Sequence, residues 1–242
     1  MSEQELTPKE VYDLRKEEER KEAGGFKKKK QTRKFFLWFL VFAALGVSVW
    51  GLTKLSTGPT DGQGAILVDA VSAGDWVKGN KESKVLLVEY SDLQCPACRA
   101  YYPLVKKLVE EQGNNFQFAY RHFPLGQHKN AKKAAYAFEA AGRQGKLWEM
   151  HDMIFDGQDT WAPAGDAENI FAKYAESLGL NMEKFNQDSN SQEAKDKVQK
   201  DYDSGVKSRV NATPTFFLNG KKIQPRSYDE LANFIKEEAA KQ

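Results

Sequence analysis

The chain has 242 residues, 36 Lys/Arg against 34 Asp/Glu for a net charge of +2, 40% hydrophobic and 12% aromatic residues, and only two cysteines. That length and apolar content suit one or two domains with a filled core. Residues 1–34 carry 11 basic and 8 acidic side chains while the remainder carries 25 and 26, so most of the chain is nearly neutral and lacks the electrostatic footprint of a nucleic-acid binder.

Residues 1–34 are charge-dense, reading KEEERK over 16–21 before Gly24-Gly25. They hold too few large apolar side chains to order alone and read as a charged tail. Lys27 to Lys30, Arg33 and Lys34 then abut residues 35–53, a window of 19 residues without a charge, rich in Phe, Leu, Val and Trp. That is long enough to cross a bilayer core as a helix. Trp38 and Trp50 stand near its ends, where interfacial aromatics belong. Six basic residues flank its start, and Lys54 is the only one between there and Lys78. The positive-inside rule puts the tail in the cytoplasm and everything after the span outside. A secretory signal peptide is the chief alternative, but its apolar stretch is usually shorter, its leader is not 34 residues, and no A-x-A cleavage site follows. No cysteine follows for a lipid anchor either. The expectation is a single-pass, uncleaved signal anchor in the plasma membrane. Residues 54–64, rich in Gly, Ser, Thr and Pro, read as a flexible linker.

The folded part is expected over 65–242. Ala65 to Val71 predicts a short edge strand, and Asp75 to Asn80 a loop or a turn of helix. Val85 to Tyr90 is an apolar run interrupted at Glu89, which suits a strand buried on both faces. Cys95-Pro96-Ala97-Cys98 follows and opens a helical pattern to about Gln112, stopped by Gly113-Asn114-Asn115. Phe116 to Phe123 alternates and reads as a strand parallel to the last. From about 127 to 207 the pattern is helical. Ala131, Ala134, Ala135, Phe138 and Ala141 mark one helix, and Leu147, Met150, Met153 and Ile154 a second. Ile170, Tyr174 and Leu178 mark a third, with a short helix at Met182 to Phe185 and a polar one over Gln192 to Val206. Such stripes are packing faces far more often than cofactor boxes. Thr215 to Leu218 returns to strand, Asn219-Gly220 is a hairpin signal with Lys221 to Ile223 as its return, and Tyr228 to Ala240 is an amphipathic helix.

The chemistry concentrates at Cys95 and Cys98. A C-x-x-C pair at a strand-to-helix junction reads as a redox motif. Unpaired N–H groups and the helix dipole favour a thiolate on the first cysteine. The second lies one turn along, placed to resolve a mixed disulfide. Pro96, just inside the helix, lacks an N–H that would have been unpaired anyway. Zinc would need about four ligands; no second pair exists, and His122, His128 and His151 show no ligand spacing. An inert disulfide would close a very small loop and contribute little. Neither a metal nor a cofactor is expected. Of the histidines, His122 ends a strand on the cysteine side of the fold, where it either touches substrate or packs a loop. His128 reads as loop-exposed, and His151 lies on a helix.

The order βαβ, helical insertion, ββα resembles the DsbA-like thiol–disulfide oxidoreductases, an α/β thioredoxin-like fold with an inserted helical domain. The segments that carry the resemblance are Val88-Glu89-Tyr90-Ser91-Asp92, Tyr120-Arg121-His122-Phe123-Pro124-Leu125, Gly142-Arg143-Gln144-Gly145 after the Ala-rich helix, and Asn211-Ala212-Thr213-Pro214-Thr215. The resemblance spans 65–242, with the insertion at about 127–207. It implies that Cys95 is the nucleophile and Cys98 the resolving thiol. It implies too that Pro214 is cis, with Thr213 facing the cysteines, and that a substrate peptide pairs beside them as an added strand, close to Pro96 and Ala97. A proline that merely starts a strand is the simpler alternative. Glu89 falls where the family keeps a buried acid, which would take or relay the proton of Cys98; the alternative is a carboxylate paired with a lysine at a strand end. One position departs from the pattern. Strongly oxidising members often carry a histidine where this chain has Ala97, so Cys95 is expected below an ordinary thiol through backbone donors, yet less depressed.

The resulting expectation is a monomeric, membrane-anchored extracytoplasmic oxidoreductase that forms disulfides in exported proteins with cysteines. It would be reoxidised by a membrane redox partner, in a compartment where disulfides persist. A reductase or isomerase of the same fold, and a scaffold with a locked pair, are the alternatives.

Overall fold

A computed structural model describes residues 15, 16, 20, 43, 47 and 64–241. The chain divides into two compact units, 1–60 and 61–242. The five described residues of the first unit are helical and exposed. The expected tail, span and linker otherwise lie outside the described residues, and no helix among the described residues is long and apolar enough to cross a membrane.

The second unit is built on a five-stranded sheet in the order β1-β3-β2-β4-β5. β2 (Leu86–Ser91) is central because Leu87 through Ser91 are all buried, as a strand covered on both faces requires. It pairs in parallel with β3 (Gln117–His122), Glu89 opposite Tyr120, and antiparallel with β4 (Thr215–Leu218), Glu89 opposite Phe216. β4 turns into β5 (Lys221–Ile223) through Asn219 and Gly220, at φ 47° and 82°. Two consecutive positive φ values are what a type I′ hairpin demands, and the Asn-Gly pair supplies them.

Two expectations at the start of this unit need correction. Asp75 to Asn80 is no loop: β1 (Trp76–Gly79) is an antiparallel edge strand on β3, with Trp76 opposite Tyr120. Its four residues carry no readable alternation, and the ladder from β3 defines it. Gly79 ends it at φ 90°, where a Cβ would meet the Phe116 carbonyl at 2.5 Å. Ala65 to Val71, by contrast, is no strand. It makes one isolated bridge, Ile66 to Lys221, with two flanking hydrogen bonds.

α1 (Pro96–Gln112) leaves the end of β2, and the insertion follows β3 as α2 (Ala131–Gly142), α3 (Leu147–Asp156), α4 (Gln158–Trp161), α5 (Ala167–Ser177), α6 (Met182–Asn190) and α7 (Gln192–Lys207). α8 (Tyr228–Ala239) closes the chain. α4, a single turn, has no periodicity to announce it. One core cluster runs unbroken from Leu87, Phe118 and Tyr120 on the sheet, through Cys98 and Leu108 of α1, to Phe138, Met150, Trp161 and Phe171 of the insertion and Ile235 of α8. A smaller one, with Val88, Tyr90, Ala119 and Phe217, covers the other face. The insertion is thus packed into the same core as the sheet.

Candidate active site

The strand β2 ends at Ser91, the chain turns through Asp92-Leu93-Gln94, and Cys95 becomes the N-cap of α1 with extended φ and ψ of −73° and 124°. Pro96 enters the helix at its first turn, and no side chain caps it. The free N–H groups there are left to the sulfur. Cys95 is 7% exposed and Cys98 not at all, and both are free thiols. Pro96 and Ala97 lie exposed beside them.

This placement splits the two thiols electrostatically. Cys95 is lowered to about 5, chiefly by a hydrogen bond from the Cys98 thiol. The Thr213 side chain and the N–H groups of Cys98 and Ala97 add to this, while burial opposes it. Cys98 is driven well above the ordinary thiol range by its burial first, then by Cys95 and by the charge of Glu89. One sulfur is therefore a thiolate that solvent barely reaches and the other a fully buried, protonated reserve. Ala97 has not left Cys95 an ordinary thiol, because the donors are first the Cys98 thiol and then Thr213 and the backbone.

The Thr213–Pro214 bond is cis. The Thr213 carbonyl lies 3.4 Å from Cys95 Sγ, and its Oγ1 is buried with no other hydrogen-bond partner, so the hydroxyl is available to the thiolate. Glu89 is 4% exposed and its carboxyl is pushed up to about 7 by burial. No lysine forms an ion pair with it among the described residues. It borders a cavity of about 20 Å³ that also touches Tyr102, Lys106, His151 and Asp152, room for one water. The structure thus gathers Cys95, Cys98, Thr213, Pro214, Pro96 and Ala97 around one site, Cys98 below the surface and Glu89 behind it.

The histidines stand elsewhere. His122 is 1% exposed, its Nε2 is 2.9 Å from Glu139 Oε1, and its N–H bonds Asp201, so it packs the interior rather than touching substrate. His128 is not loop-exposed as its sequence context suggests. Its Nδ1 is 2.7 Å from Asp92 Oδ2, which also accepts the Leu125 N–H, so the carboxylate before the cysteines pulls the ring in. His151 is buried among Tyr102, Tyr120, Trp148 and Phe155, and its burial lowers its pKa. Among the described residues, no group of His, Cys, Asp and Glu is arranged to hold a metal.

Sequence reasoning missed an amide clamp on the cysteine loop. Gln158 of α4, 4% exposed, donates Nε2 to the carbonyls of Leu93 at 2.8 Å and Cys95 at 3.2 Å. Gln94 donates to the Ala162 carbonyl at 3.0 Å and accepts the Asn130 N–H at 2.7 Å. Asn130 in turn donates to the Ala164 carbonyl at 2.9 Å. Arg99 pairs with Asp159 over the outside. These polar residues have no spacing that marks them. The arrangement can accept a thiolate attack at Cys95, release Cys98, and hold the loop still while it does so.

The family model described as thioredoxin matches residues 72–237. A thioredoxin-like oxidoreductase from Silicibacter pomeroyi DSS-3 superposes with a TM-score of 0.60 at 26% identity, covering 71% of this chain and 95% of that one. BdbD from Bacillus subtilis, in its oxidised form, shares the fold with a TM-score of 0.63 at 24% identity, covering 73% and 98%. Among curated proteins, the Na(+)/H(+) antiporter NhaA 3 of Salinispora tropica is 35% identical over 166 residues, which are 68% of this chain and 24% of that protein. The chain spans about a quarter of the length of such relatives. With the fold, the split thiols and the cis-proline in place, the chain belongs to the thioredoxin family, as a thioredoxin-like oxidoreductase whose redox pair is Cys95 and Cys98.

Proposed function

We propose that this chain donates disulfides to exported, cysteine-bearing proteins from an anchored position outside the cytoplasm. The observation that carries the reading is the pairing of a Cys95 thiol lowered to about 5 with a buried, raised Cys98. A stabilised thiolate favours the reduced pair, and so makes its disulfide the readier oxidant. In the forward reaction a substrate thiolate attacks Cys95 Sγ. The new sulfur–sulfur bond forms as the Cys95–Cys98 bond breaks, and Cys98 leaves with the electron pair and takes a proton relayed by Glu89. A second substrate thiolate then attacks the substrate sulfur of the mixed disulfide and expels Cys95 as thiolate. Two electrons pass from substrate to the pair, and no cofactor takes part. The extended peptide lies against Thr213-Pro214, beside Pro96 and Ala97.

Residues 35–53 serve as the single-pass anchor, with the tail cytoplasmic, and a membrane redox partner reoxidises the monomeric enzyme. The relatives named as Na(+)/H(+) antiporters support a membrane setting, since in them the matched region is about a quarter of a transporter. No ion transport is proposed for this chain. Retention of the full chain in alkali-washed membranes is the expected outcome; release by the wash would remove the anchor.

The direction is tested by equilibrating the full chain with glutathione. A reduction potential near about −120 mV supports donation, and one near about −270 mV turns the reading to a reductase, which Thr213 and Ala97 both allow. Cys95→Ser should abolish exchange in either case.

A further inference from the structure

We propose that the groove beside Pro214 selects substrates by charge, taking a peptide with Asp or Glu next to its reactive cysteine; this rests on the peptide-exchange reading above. The groove, of about 370 Å³, lies between α1, the Asn211–Thr215 loop and the segment that follows β5. Tyr101, Pro214, Phe216 and Ile223 give it an apolar floor, and Lys222 and Arg226 supply its only charges. No carboxylate lines it.

Lys222 and Arg226 differ from several other cations of the unit. Arg99, Lys106, Arg121, Lys133 and Lys197 each sit against an Asp or Glu. Among the described residues, no carboxylate forms an ion pair with Lys222 or Arg226. Glu230 instead accepts the Arg226 backbone N–H on its Oε2 at 2.7 Å, at the start of α8. The Tyr101 hydroxyl donates to the Pro225 carbonyl at 2.6 Å, which pins the segment that carries Arg226 to α1, while Lys222 is held in β5 by its ladder with β4. The two charges are thus held at the groove without a partner of their own.

The position makes that charge relevant to the reaction. Pro214 is part of the lining, and the Thr213 carbonyl next to it is 3.4 Å from Cys95 Sγ. A peptide whose cysteine meets Cys95 advances about 3.3 Å per residue in extended form, so its neighbouring side chains cross the groove. A carboxylate there finds a guanidinium that can take it through two hydrogen bonds and an ammonium alongside. A lysine there meets two like charges. Both cations are accessible to solvent, so the preference is screened by salt.

The test uses the oxidised full chain in detergent and two otherwise identical peptides, each with one cysteine flanked by two Asp or by two Lys. Rates of mixed-disulfide formation are divided by each peptide's rate with oxidised dithiothreitol, which removes the difference in thiol reactivity. The Asp peptide should react roughly five- to tenfold faster at low salt, the scale of two exposed ion pairs, and the ratio should fall toward one in high salt. The double variant K222E/R226E should reverse the order. Equal normalised rates in the wild type would overturn the charge selection while leaving exchange intact. A ratio unchanged in the variant would overturn it as well. If that variant does not fold, the wild-type salt series decides alone. A wild type that exchanges with neither peptide nor reduced dithiothreitol would instead sink the exchange reading itself.

Discussion

Glu89 is held at 4% exposure with its carboxyl at about 7, against 4.5 for an ordinary glutamate, because burial penalises the charged form. That shift has a sign in stability. Below pH 4.5 the carboxyl is protonated in both folded and unfolded chains and costs nothing. Above pH 7 it is ionised in both, and the folded state carries the whole penalty, on the order of 3 kcal/mol. Glu89→Gln should therefore stabilise the protein at pH 8 and have almost no effect near pH 4, as urea unfolding at the two pH values will read. The same substitution removes the group that exchanges a proton with Cys98. The step in which Cys98 enters or leaves a mixed disulfide should slow on the order of 100-fold. A variant that gained stability and kept its rate would show Glu89 to be a structural acid only.

At the scale of elements, the active site depends on a turn that local sequence hides. β2, α1 and β3 are readable because Val85 to Tyr90, Leu104 to Val109 and Phe116 to Phe123 each keep an apolar period, and Cys95-Pro96-Ala97-Cys98 marks the join. The resemblance then places Thr213-Pro214 and Glu89. β1 escapes notice because what makes it a strand is β3, about 40 residues away in the chain. His128 escapes because its partner, Asp92, lies across a loop. Gln158, Gln94 and Asn130 escape for the same reason: amide groups bond to carbonyls that no periodicity places beside them. Yet Gln158 holds two carbonyls of the cysteine loop. Gln158→Met keeps the volume and deletes both hydrogen bonds, leaving the Leu93 carbonyl without this partner and the Cys95 carbonyl with the Arg99 N–H alone, which should cost about 1–3 kcal/mol. Because the positive end of the amide also faces the N-cap residue, the Cys95 thiol should titrate at a higher pH in this variant. Thiolate absorbance measures that directly. A loss of stability with an unmoved titration would confine Gln158 to packing.

At the scale of the whole molecule, the redox state of two sulfurs is coupled to unfolding of the entire unit. Cys95 and Cys98 belong to the same core cluster as the sheet, the insertion and α8, so packing around the two sulfurs is continuous with the core of the unit. The reduced form folds with Cys95 ionised down to about pH 5, whereas the unfolded chain binds that proton up to about pH 9. Between those limits the unfolded state holds more protons, so the stability of the reduced form rises with pH: fully present above 9, lost as pH falls to 5. The oxidised form has no thiolate and lacks this contribution. Glu89 titrates in both forms, so its opposite trend largely cancels from the difference. Melting temperatures of the reduced protein minus those of the oxidised should therefore grow steadily from pH 5 to pH 9. By the same linkage, the potential should fall by about 30 mV per pH unit in that range, one proton for two electrons, and by about 59 mV below pH 5, where both thiols take protons. A flat difference in melting temperature, or a single slope of about 59 mV through pH 7, would mean that Cys95 is an ordinary thiol and that the donor reading has lost its support.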